Sequence, residues 1–371
     1  MGHHTMSEFE KSTEEITFTV ENHVGVVTLH RPTALNALSF QMICAMRRQL
    51  LAWQTDDRIA WVLVRSDSPR AFCAGGDVRA LYEMADDLLA CETYFIEEYR
   101  LNHLTHFYTK PYVALMDGIV MGGGMGIAQG AGLRIVSENS RLAMPETAIG
   151  MVPDVGGSYF LSRTHDDPAI GRYLALTGTI INATDACHWR LADAMVAQSV
   201  WPHLTQALID CVDPTWAGLR AVTESFARGD LYPAFEPMSA FESLILEVFD
   251  EQYDLAEITA RLRHLSTEES TNGRWAANAL AQVSYNSPIA MRLALHNQHL
   301  GRAMSLADCL RLEFNCISNL LRLGEAPEGI RAKIVDKDGG PNWHVTDVEQ
   351  TFEQLKTAPY PVNQHPLFEL N

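Results

Sequence analysis

β-rich apolar runs alternate with helical apolar stripes in the first part of the chain, and the pattern becomes almost wholly helical in the last. Ile16 to Val20 and Val24 to His30 are β-rich runs separated by Glu21-Asn22-His23, which predicts a hairpin. Ser39 precedes an apolar stripe of Met42, Met46, Leu50 and Trp53, the signature of a capped helix running to about Trp53. Trp61 to Arg65 reads as a strand. Ser66 to Gly76 carries Ser, Asp, Pro and two glycines, which predicts a loop ending at a helix start near Asp77. An acidic amphipathic helix follows to about Tyr108, broken near Leu88 to Cys91. Strand Tyr112 to Met116, a glycine turn, a short helix, and strands Leu133 to Ser137 and Arg141 to Met144 come next.

Strand pairs followed by helices thus recur up to about Gln198, which predicts an α/β core of strand-strand-helix units without any matching residue repeat. From about Pro202 the pattern turns helical, with apolar spacing in Leu244 to Phe249, Trp275 to Val283, Met291 to Leu295 and Leu306 to Leu321. Phe235-Glu236-Pro237 and Ser284 to Pro288 break those helices, and the tail after Pro341 is expected to be loosely held. The expected organisation is a core over 6–201 that carries the active site and a helical region over 202–371. Residues 1–5, Met-Gly-His-His-Thr, read as an affinity-tag remnant before Met6, so His3 and His4 are set aside.

Composition narrows the classes. The chain has 371 residues, 47 % hydrophobic and 20 % charged, which fits a folded chain with a substantial core. With 46 acidic against 28 basic side chains the net charge is -18, the wrong sign for a sequence-independent nucleic-acid surface. No apolar run approaches the roughly 18 residues of a membrane span and no leader pattern opens the chain, so a cytoplasmic protein with neither membrane nor nucleic-acid partner is expected. Cys44, Cys73, Cys91, Cys187, Cys211, Cys309 and Cys316 are scattered without a C-x-x-C pair, which predicts reduced thiols and no zinc site. Cys73 lies beside Gly75-Gly76, but no His/Asn signature accompanies it as a nucleophile.

Met121 to Gly126 reads MGGGMG at a strand-to-helix turn, and a second glycine pair closes Ala71-Phe72-Cys73-Ala74-Gly75-Gly76-Asp77. Backbone amides at such turns suit a developing oxyanion; each glycine taken alone is an ordinary turn residue. The turns do not continue as G-x-G-x-x-G, no G-K-[ST] occurs, and Gly156-Gly157-Ser158-Tyr159-Phe160 misses the G-x-S-x-G elbow. Glu146 and Asp154 sit in apolar, glycine-rich surroundings, where a desolvated acid would titrate near neutrality. Pro145-Glu146 also fits a helix start and Asp154 a plain N-cap. On charge pattern, Glu97-Glu98 reads as a solvated helix face.

These stretches resemble the enoyl-CoA hydratase/isomerase (crotonase) superfamily, through AFCAGGD, the GGG turn, Asn36-Ala37-Leu38 and PETAIG in that order. Within it the chain is similar to the 3-hydroxyisobutyryl-CoA hydrolase family, through KPYVALMDGIVMGGGMG, AMPETAIGMVPDVGGSYFL, LALTG, EGIRAKIVDKD and Pro341-Asn-Trp343, so nearly the whole chain is covered. Position by position, the resemblance implies oxyanion amides at Gly76 and Gly123, catalytic carboxylates at Glu146 and Asp154, and a substrate-contacting glutamate at Glu98. It implies a crotonase-like ββα spiral with two sheets, followed by a helical C-terminal region.

It also implies hydrolysis of a hydroxyacyl-CoA thioester in valine catabolism without metal or bound cofactor; superfamily members often form homo-oligomers, and the helical extension here could either mediate or replace such contacts. Glu146 would activate water or attack to form a mixed anhydride, with Asp154 holding water or protonating the thiolate. Hydratases of the superfamily carry a second glutamate where this chain has Gly126, which disfavours the alternative of hydration or isomerisation. A non-catalytic CoA-binding protein is the reading from another class. Arg31, Arg70, Arg79 and Lys337 are the cations considered for CoA phosphates.

Overall fold

The computed structural model describes residues 14–227, 235–356 and 364–371. The tag remnant at 1–5 lies outside them. Strands β1 (Ile16–Glu21) and β2 (Val24–Leu29) form the expected antiparallel hairpin. Its two-residue turn, Asn22-His23, holds both residues at positive φ, 46° and 69°, the twist that matches a hairpin. Ser39 caps the helix Phe40–Gln54 by accepting from the Met42 amide at 3.2 Å.

The remaining strands are β3 (Trp61–Ser66), β4 (Ala71–Cys73), β5 (Tyr112–Met116), β6 (Ile119–Met121), β7 (Leu133–Val136), β8 (Arg141–Ala143), β9 (Ile181–Asn182) and β10 (Ala194–Met195). They make a six-stranded sheet, β1-β2-β3-β5-β7-β10, and a four-stranded sheet, β4-β6-β8-β9. Successive strands divide between the two: β3, β5 and β7 enter the first sheet, and β4, β6 and β8, each following after a short turn, enter the second. Helices follow the β3-β4 and β5-β6 pairs, so the strand-strand-helix expectation holds in topology. Two short strands were not expected. β4 falls inside the loop read over Ser66 to Gly76, and β6 lies between Met116 and the glycine turn; three-residue strands are too short to show a period.

The chain folds as two compact units. The first comprises residues up to Asp77, Arg100–Leu142 and Ile181–Pro237, and contains both sheets except for the last residue of β8. Along its main sheet, alternate residues Val24, Val26, Trp61, Leu63, Val113, Leu115, Leu133 and Ile135 face one way and bury against Leu204, Leu208 and Leu219 from the helices Trp201–Ile209 and Trp216–Phe226. The second unit comprises Val78–Tyr99, Ala143–Ile180 and the chain from Met238. Each unit is assembled from three stretches, so neither coincides with 6–201 or 202–371: the helices at 201–226 complete the sheet's apolar face and belong with it. The chain after Trp201 is helical as expected, with helices Glu242–Val248, Leu255–Leu265, Thr271–Tyr285, Pro288–Gly301 and Leu306–Arg322.

The tail is held more firmly than its composition suggests. Trp343 donates its indole N–H to the Tyr285 carbonyl at 3.0 Å, and Leu367 and Leu370 are buried. Residues 357–363 of that tail lie outside the described residues. The helix expected from Asp77 to Tyr108 is two helices, Val78–Glu83 and Leu88–His106, and the break falls before Leu88.

Candidate functional site

In the first unit the two glycine segments come together. Leu38 pairs with Gly76 in an isolated parallel bridge: the Leu38 amide donates to the Gly75 carbonyl at 2.8 Å, and the Asp77 amide donates to Leu38 at 3.0 Å. That pattern uses the residues on either side of Gly76 and leaves its own N–H out of the bridge. Gly123 is the first residue of the helix Gly123–Gln129, where an amide has no carbonyl within the helix to meet. A Cβ built on Gly75 would lie 3.7 Å from the Gly123 nitrogen, so the two segments run side by side. Gly124 shows how close: a Cβ there would stand 2.3 Å from the Cys73 carbonyl oxygen.

Asn36 explains the third piece of the motif. It sits at φ 57° and donates its carboxamide N–H to the carbonyls of Ala71 (3.2 Å) and Phe72 (3.0 Å), while its oxygen accepts from the Arg31 amide. The turn is thereby stapled to β4, which delivers Gly76. Arg31 is committed to the same construction, at 2.7 Å from Asp77 and 2.9 Å from Glu15, rather than standing ready for a phosphate. The Arg79 guanidinium donates to the Ile334 carbonyl. Cys73 is buried within β4.

In the second unit the acids converge. Glu98, Glu146 and Asp154 are all buried, at 2, 5 and 4 % exposure, with Glu98 arriving from a segment distant in sequence from the other two. Glu146 opens a 3-10 turn, Glu146–Ile149. Asn286 donates to the Thr147 hydroxyl at 3.0 Å and the Ser287 amide to the Thr147 carbonyl at 3.0 Å, which fixes that turn to the loop between two helices. Gly150 ends it at φ +71°, where a Cβ would meet the Glu325 carbonyl at 2.1 Å; only glycine fits. The helix-start reading of Pro145-Glu146 is met in form, and the acid is nonetheless buried.

Asp154 is not an N-cap: its carboxylate accepts a 2.7 Å bond from the Tyr99 hydroxyl, and Gly156 occupies the cap position. Glu98 is the clearest departure from the charge pattern. Its helix, Leu88–His106, buries Tyr94, Phe95 and Tyr99, so Glu98 lies on the packed face instead of the solvated one.

The electrostatics follow from this crowding. Burial pushes Glu98 well above the usual carboxylate range, and the Asp154 charge adds to it. Burial likewise raises Glu146, with Asp154, Glu98 and Glu313 contributing and a backbone hydrogen bond opposing. Asp154 is pushed up to about 7 by burial, held down in part by the Tyr99 hydroxyl. Simultaneous ionisation of all three is thus disfavoured, and the three titrate as one coupled system. One oxygen each of Glu98 and Glu146 is buried without a protein hydrogen-bond partner. Lys333 brings a cation toward Glu146; desolvation lowers its own pKa and the Glu146 charge raises it.

Sequence reasoning missed Tyr99 and Glu313. Glu313 was legible as the single acid at a core register of the apolar helix Leu306–Arg322, seven residues after Leu306 and three after Leu310. Tyr99→Phe is expected to move the acidic limb of the pH-rate profile to higher pH, because the donor that favours ionised Asp154 is gone; an unmoved limb speaks against Asp154 as the titrating group.

Comparison with known proteins shows what the chain is similar to. The enoyl-CoA hydratase/isomerase family matches residues 24–358. The 3-hydroxyisobutyryl-CoA hydrolase, mitochondrial, of Danio rerio is 33 % identical over 354 residues, 95 % of this chain and 90 % of that protein. The 3-hydroxyisobutyryl-CoA hydrolase 1 of Arabidopsis thaliana is 33 % identical over 91 % of this chain and 90 % of its own length. Among solved structures, a carnitinyl-CoA dehydratase from Mycobacterium thermoresistibile superposes with a TM-score of 0.84 at 34 % identity, over 96 % of this chain and 100 % of that one.

Proposed function

Since the chain belongs to the enoyl-CoA hydratase/isomerase family, we propose that it hydrolyses a short hydroxyacyl-CoA thioester, 3-hydroxyisobutyryl-CoA to 3-hydroxyisobutyrate and CoA, a step of valine catabolism. The observation that carries this reading is the buried acid cluster, in which Glu146 keeps an oxygen free and Asp154 is poised to titrate near 7. The relatives named as 3-hydroxyisobutyryl-CoA hydrolases support the choice of substrate.

In this reading the amides of Gly76 and Gly123 receive the charge that develops on the thioester oxygen. Glu146, once ionised, activates water or adds to the carbonyl carbon as nucleophile; the carbon–sulfur bond then breaks and the CoA thiolate takes up a proton, and in the nucleophilic route water hydrolyses the resulting anhydride, releasing the acid and freeing Glu146. Asp154 accepts or returns that proton. Glu98 hydrogen-bonds the acyl hydroxyl. A site built to bond a hydroxyl disfavours the acyl group lacking it, so Glu98→Ala is expected to erode the preference for hydroxylated over plain acyl-CoA; equal loss on both substrates counts against the assignment.

The acids supply the proton transfers, so activity is expected to survive exhaustive dialysis against EDTA, and its loss with recovery on adding a metal ion contradicts the metal-free reading. The cytoplasmic location is likewise proposed, and cell fractionation decides it against the mitochondrial location carried in the name of the Danio rerio relative.

The dehydratase name of the structural relative favours one second reading, addition or removal of water at a double bond. Gly126 in place of a second acid argues against it. Mass spectrometry of products from hydroxylated, unsaturated and saturated acyl-CoA esters separates the two: hydrolysis yields free acid and CoA, whereas hydration leaves the thioester intact.

A further inference from the structure

Glu313 has been given no task so far, and its surroundings are unusual. It is fully buried on a helix that otherwise turns Leu306, Leu310, Phe314 and Ile317 inward. A carboxylate in that position is costly unless its oxygens are met by donors. They are. Oε2 accepts from the Gly156 amide at 2.8 Å, and Oε1 accepts from the Ser158 amide at 2.8 Å and from the Ser158 hydroxyl. Burial still raises Glu313 to about 8, with these donors opposing it.

Those donors belong to the first turn of the short helix Gly157–Phe160, whose cap residue Gly156 has no side chain with which to cap it. The approach to that turn is strained. Val155 lies at φ +52° and Gly156 at φ +90°, and a β-branched residue rarely adopts the left-handed region. Such a conformation persists where the surroundings over-determine it. Asp154 is the residue immediately before, its carbonyl accepting from the Gly157 amide at 2.6 Å and its carboxylate from Tyr99.

We infer that Glu313 is a positioning residue: it supplies from a distant helix the cap that the Val155-Gly156 turn lacks, and so fixes where the Asp154 carboxylate stands. The catalytic consequence rests on the function proposed above, whereas the clamp itself is readable without turnover.

Glu313→Gln and Ser158→Ala in the full chain test it, by thiol release and by hydrogen exchange of the peptide covering 154–160. A carboxamide must turn its NH2 toward one of the N–H donors, so Glu313→Gln loses part of the cap. Its kcat is expected to fall about 10- to 100-fold with KM within about two-fold, the scale of a misplaced reacting group. Exchange of 154–160 is expected to quicken while the strands of the main sheet keep their protection. Ser158→Ala keeps both amide bonds and is expected to show both effects at about a few-fold in kcat, the loss of a single hydrogen bond.

An unchanged kcat per folded molecule, or unchanged exchange over 154–160, overturns the inference. If Glu313→Gln does not fold, Ser158→Ala decides by the same two readouts. If the wild type releases no thiol, the proposed function has failed, and exchange alone decides the clamp.

Discussion

Glu146→Gln is expected to lower the rate of CoA release by about 10²- to 10⁴-fold, the range supplied by a positioned acid or base. The substitution keeps the shape of a side chain that is 5 % exposed and removes its ability to ionise. The same change should stabilise the fold. Glu146 has a folded-state pKa raised well above 4.5, so the stability associated with its proton is complete below the unfolded value and is lost as pH rises through the folded one. Neutral glutamine escapes that loss, and the gain in melting temperature over wild type is expected to grow from pH 5 to pH 8. A thermal scan at the two pH values reads it. A less stable variant at pH 8 contradicts the burial account, whatever happens to the rate. Asp154→Asn has a companion signature: its charge raises Glu146, so removing it should shift the remaining titration limb to lower pH while the rate falls.

The second large effect lies in the other unit. Gly124→Ala forces a methyl to within 2.3 Å of the Cys73 carbonyl oxygen, a backbone atom of β4 that cannot step aside as a side-chain tip would. Overpacking of this kind costs about 1–3 kcal/mol of stability. The turn that carries the neighbouring Gly123 amide must also shift, and loss of one oxyanion donor lowers kcat by about 10²- to 10³-fold. Folded protein with weak turnover and KM little changed is the expected result, read by calorimetry and thiol release together. A variant with wild-type kcat removes the Gly123 amide from the mechanism.

Much of this was written in local sequence. The glycine turns, the Asn36-Ala37-Leu38 segment and the Pro145-Glu146 stretch gained their meaning from the family resemblance, whereas the hairpin and the Ser39-capped helix follow from pattern and cap chemistry. What stayed hidden depends on tertiary packing. Glu98 carries the charge pattern of a surface helix, and only the aromatic neighbours packed around Tyr99 take it inside. Glu313 stands out only as an acid at a core register, and its donors, 155 and 157 residues away, lie beyond any local signal. The division of the chain was equally invisible: a sheet face needs a cover, and the helices Trp201–Ile209 and Trp216–Phe226 that provide it look like the other helices downstream. β4 and β6 are simply too short to carry a periodic signal.

Buried acids are a poor choice for stability and a good one for proton transfer. Two of them retain oxygens that no protein donor or hydroxyl reaches, and a third is raised to about 7 by burial, with a tyrosine hydroxyl holding it back in part. A carboxylate that titrates near ambient pH and is shielded from bulk water suits proton transfer in thioester hydrolysis.

The most direct test of that claim is free-thiol release from 3-hydroxyisobutyryl-CoA by the wild-type protein, run beside Glu146→Gln and Asp154→Asn under identical conditions. Rapid release by the wild type and a fall of at least about 10²-fold in both variants is the predicted result. Undiminished release by the two variants contradicts the account, as does a wild-type protein that leaves the thioester intact.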